Sequence, residues 1–174
     1  MRLTMKTIFA LSLAAALALS LSAAQAQSAD KDSQKFIKSA IQGNLAEIDM
    51  GKLAQEKGKS AAVKSYGEML VTDHGAANEK AKQAADKLGV TPPSGPSVAQ
   101  KAGYLKMKVM SGDTFDRSFA KDMVKDHQKD IKEYEKASQK NDAAGAYAKE
   151  GLPTLRKHLE AAQKLSPEKK TSSR

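Results

Sequence analysis

The chain has 174 residues, with 29 Lys and Arg against 20 Asp and Glu, three His, no Cys and no Trp, and a formal net charge of +9. A length in this range favours one domain. The lack of cysteine excludes a disulfide framework, a cysteine nucleophile, a thiolate metal site and a lipid-modified N-terminal cysteine. The basic excess is almost all lysine, with guanidinium groups only at Arg2, Arg117, Arg156 and Arg174. Readers of phosphates and base edges favour arginine, and single-strand binders need aromatic platforms. With four Phe and four Tyr in the whole chain, nucleic acid is not an expected partner.

Arg2 and Lys6 precede a run from Ile8 to Ala24 that is almost wholly apolar, and Ala24-Gln25-Ala26 offers a small-x-small cleavage site. This is the anatomy of a signal peptide over residues 1–26, and it predicts export to the periplasm, cell surface or medium. Cleavage removes Arg2 and Lys6 and leaves 148 residues with a charge of +7. No later run is apolar for long enough to span a bilayer, so the mature chain is expected to be soluble. A single domain is predicted over 27–165, followed by a polar, frayed tail over 166–174.

Four long helices are predicted. Phe36, Ile37, Ala40, Ile41, Ile48, Gly51 and Ala54 recur at spacings of three and four, marking a helix from Ser33 to Lys57. Asp32 or Ser33 is its expected cap, and Gly58 its expected C′ glycine. A second helix runs from Ser60 to Leu88, ending at Gly89. Its stripe is Val63, Gly67, Leu70, His74, Ala77, Ala81, Ala84 and Leu88. The segment Val90 to Ser97 holds three prolines and a glycine that stop any helix. A short helix from Val98 to Met110 should follow. The third long helix covers Thr114 to Gln139, with Phe119, Met123, His127, Ile131 and Tyr134 on one face. The last covers Ala143 to Leu165, where Pro153 predicts a kink or a break near Gly151. Short turns make each outer pair a hairpin, and Gly89 to Gly112 is long enough to cross the bundle. One long central crossover is the connectivity of a ferritin-like all-α four-helix bundle, here with a short extra helix in the crossover.

The segment Ser65 to His74 aligns without gaps with Ser118 to His127, sharing S-[YF]-x-x-x-[LM]-V-x-D-H. This internal repeat puts two histidines in equivalent places on two helices. His74 lies on the stripe between Leu70 and Ala77, His127 lies between Met123 and Ile131, and His158 borders the stripe of the last helix. Glu47 shares the inner face of the first helix with Asn44. Buried groups of this kind need partners. Two arrangements supply them. One is a hydrogen-bonded network that fixes register and binds no cofactor, the arrangement sequence alone favours. The other is a metal site of Glu47, His74, His127 and His158 for iron, manganese, zinc or copper, with Asp73, Asp126 or Asp130 as supporting carboxylates. The Glu-x-x-His signature of di-iron bundles is absent, because Val71, Val124 and Leu155 stand three residues before the histidines. No nucleophile elbow, phosphate loop, dinucleotide fingerprint or His-Glu-x-x-His occurs, so catalytic residues are not expected and the reading leans away from an enzyme.

These pieces together resemble an exported bacterial family catalogued as domain of unknown function 4142, grouped with ferritin-like bundles and often labelled as outer-membrane proteins. The resemblance is carried by Phe36, by Gly43-Asn-Leu-Ala-Glu-Ile-Asp-Met-Gly-Lys-Leu-Ala54, and by Met69 to His74. Phe115-Asp-Arg117, Met123-Val-Lys-Asp-His127 and Leu152-Pro-Thr-Leu-Arg-Lys-His-Leu159 complete it. Asp49 departs from the family's usual glutamate. The resemblance implies export and fold but no activity. The expected role is non-enzymatic, within the periplasm or envelope and tied to stress physiology. A lysine row at Lys121, Lys125, Lys129, Lys132 and Lys136 adds anionic envelope surfaces as an alternative partner class. Sequence leaves the oligomeric state open.

Overall fold

The computed structural model describes residues 30–165, so the expected signal peptide (1–26) and the tail (166–174) lie outside the described residues. Five helices occur in order: α1 Lys31–Lys57, α2 Ala61–Lys87, α3 Val98–Lys108, α4 Gly112–Ala137 and α5 Ala143–Leu165. The described residues form no strand.

The helix ends refine the sequence reading. α1 begins two residues early because the Asp30 carboxylate accepts from the Asp32 amide at 3.2 Å. Ser33, an expected cap, is instead buried. Ser60 caps α2 by accepting from the Val63 amide at 3.2 Å, and Ser97 and Gln100 close a reciprocal capping box on α3. Gly58 is not the left-handed terminator its position suggested, since its φ of −57° suits any residue. Space makes it glycine: a Cβ there would lie 2.5 Å from the Ala54 carbonyl oxygen. Gly89 does take the left-handed conformation, with φ of 64°. α5 runs unbroken through Pro153. Gly151 serves packing there, because a Cβ would meet the Tyr134 ring at 2.9 Å.

α1 packs along α2, α4 packs along α5, and α2 against α5 joins the two hairpins. α3 leans on α1 and α4 across the open side of the bundle. The α1–α2 approach is close because Gly51 and Gly67 face each other. A Cβ on Gly67 would lie 2.5 Å from the Gly51 carbonyl oxygen and 2.9 Å from the Ala54 Cβ. Gly67→Ala should therefore cost about 1–3 kcal/mol through overpacking. Gly75→Ala, at a helical position with nothing within 4 Å, should gain about 0.5–1 kcal/mol. Urea unfolding of the two variants tests the contrast, and equal effects would contradict it.

The apolar interior is in two parts. One end packs Ile37, Ile41, Ala81, Ala85, Ile131, Tyr134 and Tyr147. The other packs Leu53, Val63, Leu70, Phe115, Phe119 and Met123. Between them runs a buried polar layer: Asn44 and Glu47 from α1, His74 and Asn78 from α2, His127 from α4 and His158 from α5. All four long helices contribute to it. A layer of this kind weakens the core unless its groups are satisfied.

Candidate metal centre

The three histidines meet in this layer. One nitrogen from each lies within 4.8 Å of the others, and all three residues are buried. The rings stand 5.2 to 5.9 Å apart between centroids. His74 and His127, equivalent in the internal repeat, thus face each other across the bundle axis.

The hydrogen bonds determine where each imidazole carries its proton. His127 Nδ1 is 2.9 Å from the Met123 carbonyl oxygen. A carbonyl can only accept, so Nδ1 donates and the neutral ring bares its lone pair at Nε2. His158 Nε2 is 2.8 Å from the Asp73 carboxylate, so Nε2 donates and Nδ1 is bare. His74 Nδ1 is 3.0 Å from Asn44 Oδ1, while Asn44 Nδ2 donates to the Tyr147 hydroxyl at 2.9 Å. His74 therefore bares Nε2, which has no partner and is fully buried. The result is three imine nitrogens without protons in one small volume.

One pair makes the consequence plain. His127 Nε2 and His158 Nδ1 are 3.3 Å apart, yet with these tautomers neither has a proton to give. Only an added proton or a cation between them makes that approach favourable. A proton is disfavoured: burial and the neighbouring His158 hold His127 down to about 4. Burial, then His158 and His127, hold His74 well below its ordinary range. Burial also lowers His158, against the opposing pull of Asp73. A metal ion meets the requirement. Two nitrogen ligands about 2.0–2.1 Å from a tetrahedral ion stand about 3.3–3.4 Å apart. Each ring also donates its other N–H to a carboxylate, a backbone carbonyl or an amide oxygen, the support that ligating histidines use. The widest separation leaves at most about 1.5 Å to be closed by side-chain rotation. A cavity of about 150 Å³ between α2 and α5, lined by Asp73, His74, Tyr147 and Thr154, reaches the His74 side of the cluster.

The remaining residues singled out from sequence sit elsewhere in the layer. Glu47 is buried, with Oε2 unpartnered, but lies outside the convergent nitrogen set. Burial first, then the charges of Asp130 and Asp126, push its carboxyl well above the usual range. Asp126 and Asp130 thus act on Glu47, while Asp73 alone of the three aspartates touches a histidine. Sequence reading did not assign partners to Asn44, the Met123 carbonyl or Tyr147. Asn44 shared an inner face with Glu47 and was a visible option. The Met123 carbonyl, being backbone, had no sequence signal.

No curated protein matches the chain in sequence. Among solved structures, a fragment of a domain of unknown function 305 protein from Deinococcus radiodurans is similar, with a TM-score of 0.69 and 13% identity. The match covers 79% of this chain and 96% of that one, and it supports the helical fold. The profile of the family described as domain of unknown function, DUF4142, matches residues 18–165, and the chain belongs to that family.

Proposed function

We propose that this protein is an exported metal-binding bundle that holds one first-row transition-metal ion on His74 Nε2, His127 Nε2 and His158 Nδ1. The observation that carries the proposal is the convergence of three bare, buried imine nitrogens, two of them 3.3 Å apart. Copper(II) and zinc are the favoured ions, because the donors are imidazoles without thiolate or converging carboxylate. Iron and manganese would want more oxygen ligands. Three protein ligands leave a position open for water or a small ligand. The role proposed is binding, as storage, buffering or delivery outside the cytoplasm. The leader-like residues 1–26 support export.

The test is metal content. Untagged protein purified from the exported fraction without chelator should carry, or take up on titration, about one equivalent of zinc or copper. Less than about 0.1 equivalent of any transition metal, with no uptake on titration, would reject the reading.

A further inference from the structure

Among the described residues, three large apolar side chains are strongly exposed, and all lie on α3 or its end: Val98 at 86%, Leu105 at 62% and Val109 at 86%. At 100° per residue, Val98, Leu105, Val109 and the exposed Ala102 fall within about 60° of one another. They form one outward stripe. The opposite face holds α3 to the bundle through the buried Met107 and the half-buried Tyr104. Exposed lysines flank the stripe, with Lys101 and Lys108 on one side and Lys106 on the other. No Asp or Glu occurs between Asp86 and Asp113, although the chain has 20 of them.

We propose that α3 is a membrane-surface anchor, lying in the interface of an anionic lipid leaflet with Val98, Leu105 and Val109 turned into the lipid. An apolar stripe bordered by long cationic side chains matches the acyl boundary below and the phosphates above, and lysine stems reach upward from it. Charge complementarity selects this occupant over a second copy. A symmetric pairing of two α3 faces would bring Lys101, Lys106 and Lys108 against the same lysines. It also places a second cationic surface beside the α4 row expected from sequence. The α4 row from Lys121 to Lys136 is exposed and spans about 80° of the helix, but Asp122, Asp126 and Glu133 border it on one side and Glu135 on the other. α3 presents one sign.

The experiment uses the chain from Gln27 to Arg174, whose described residues hold the whole bundle. Sedimentation is measured with vesicles of phosphatidylglycerol and phosphatidylcholine in equal parts, against phosphatidylcholine alone. The parent should bind only the anionic vesicles and weaken about tenfold or more between about 0.05 M and 0.5 M salt. Replacing Lys101, Lys106 and Lys108 together by glutamine should weaken binding about a hundredfold. Leu105→Glu should weaken it about tenfold or more. Matching circular dichroism spectra and urea midpoints would show that the variants remain folded. No binding to anionic vesicles, or binding indifferent to Leu105→Glu, would overturn the anchor. A concentration-dependent dimer lost in Leu105→Glu, without vesicle binding, would overturn it in favour of a second copy. His127→Ala should leave vesicle binding intact, so the anchor and the metal site fail or stand separately.

Discussion

His127→Ala should lower the affinity for zinc or copper by about a thousandfold or more, reducing uptake to that of scattered surface groups. Removing one of three imidazole ligands leaves only two protein donors, and a ligand outweighs the groups that orient it. Asp73→Asn is the graded counterpart. It weakens the acceptor that holds His158 Nε2–H at 2.8 Å and should cost about 10–100-fold. Thermal unfolding gives a second readout. At a free metal concentration about a thousand times Kd, binding adds about 4 kcal/mol, or roughly 10 °C for a domain of this size. The parent should show that shift, Asp73→Asn a reduced one, and His127→Ala none. Metal-free protein separates this site from a closed hydrogen-bonded network. If 3.3 Å between His127 Nε2 and His158 Nδ1 brings two lone pairs together, His127→Leu should leave the metal-free fold as stable as the parent or more so. A clear loss of stability in that variant, with no metal shift in the parent, would establish the network instead.

That choice could not be made from sequence, and the reason lies in particular residues. The face each histidine occupies follows from a period of three to four, so His74 and His127 could be assigned to the interior from their apolar neighbours alone. Their depth was legible too, because each stands midway along its stripe. Tautomers were not legible. They depend on Asn44 meeting His74, the Met123 carbonyl meeting His127, and Asp73 meeting His158 across 85 positions of chain. Two of these pairings join different helices, and the third uses backbone. Asn44 and Glu47 lie one turn apart on the same side of α1, and no spacing decides which of them reaches His74. The closed network was the natural expectation while donors and acceptors could still be matched freely. The observed hydrogen bonds use up all three protons on outward partners.

Glycine shows the same limit. Gly58 and Gly89 both follow a helix, and either could have been a left-handed stop. Only Gly89 is; Gly58 is small because the Ala54 carbonyl lies above it. Helix order and hairpin pairing were legible because turn length and crossover length limit the possible connections. The two apolar clusters separated by a polar layer were legible only in part, since the layer's members come from four helices and become one feature only on packing.

Asp130→Asn should stabilise the metal-free protein by about 2 kcal/mol at pH 8, with the gain fading to nothing near pH 3.5. The Asp130 carboxyl is pushed up from 3.8 to about 6, mainly by burial, with Asp126 and Glu133 adding to the shift and Lys129 opposing it. The folded state therefore holds a proton more tightly than the unfolded chain. Above about pH 6 the ionised group costs stability. As pH falls from about 6 towards 3.8 the folded protein takes up its proton first and that cost disappears. At 1.36 kcal/mol per unit the full shift corresponds to about 3 kcal/mol, reduced to about 2 by partial solvent access. The histidines run the other way. His127, at about 4 in the fold against 6.5, contributes stability that is present above 6.5 and lost as pH falls towards 4. Parent and variant share that loss, so the difference between their urea unfolding free energies reports Asp130 together with the relief its removal gives the buried Glu47 carboxyl. Glu47→Gln should change stability in the same direction, because burial and the charges of Asp130 and Asp126 disfavour its ionised form. An Asp130→Asn gain that is flat with pH would rule out ionisation as its cause. A loss at pH 8 would mean that the carboxylate makes a contact worth more than its burial costs.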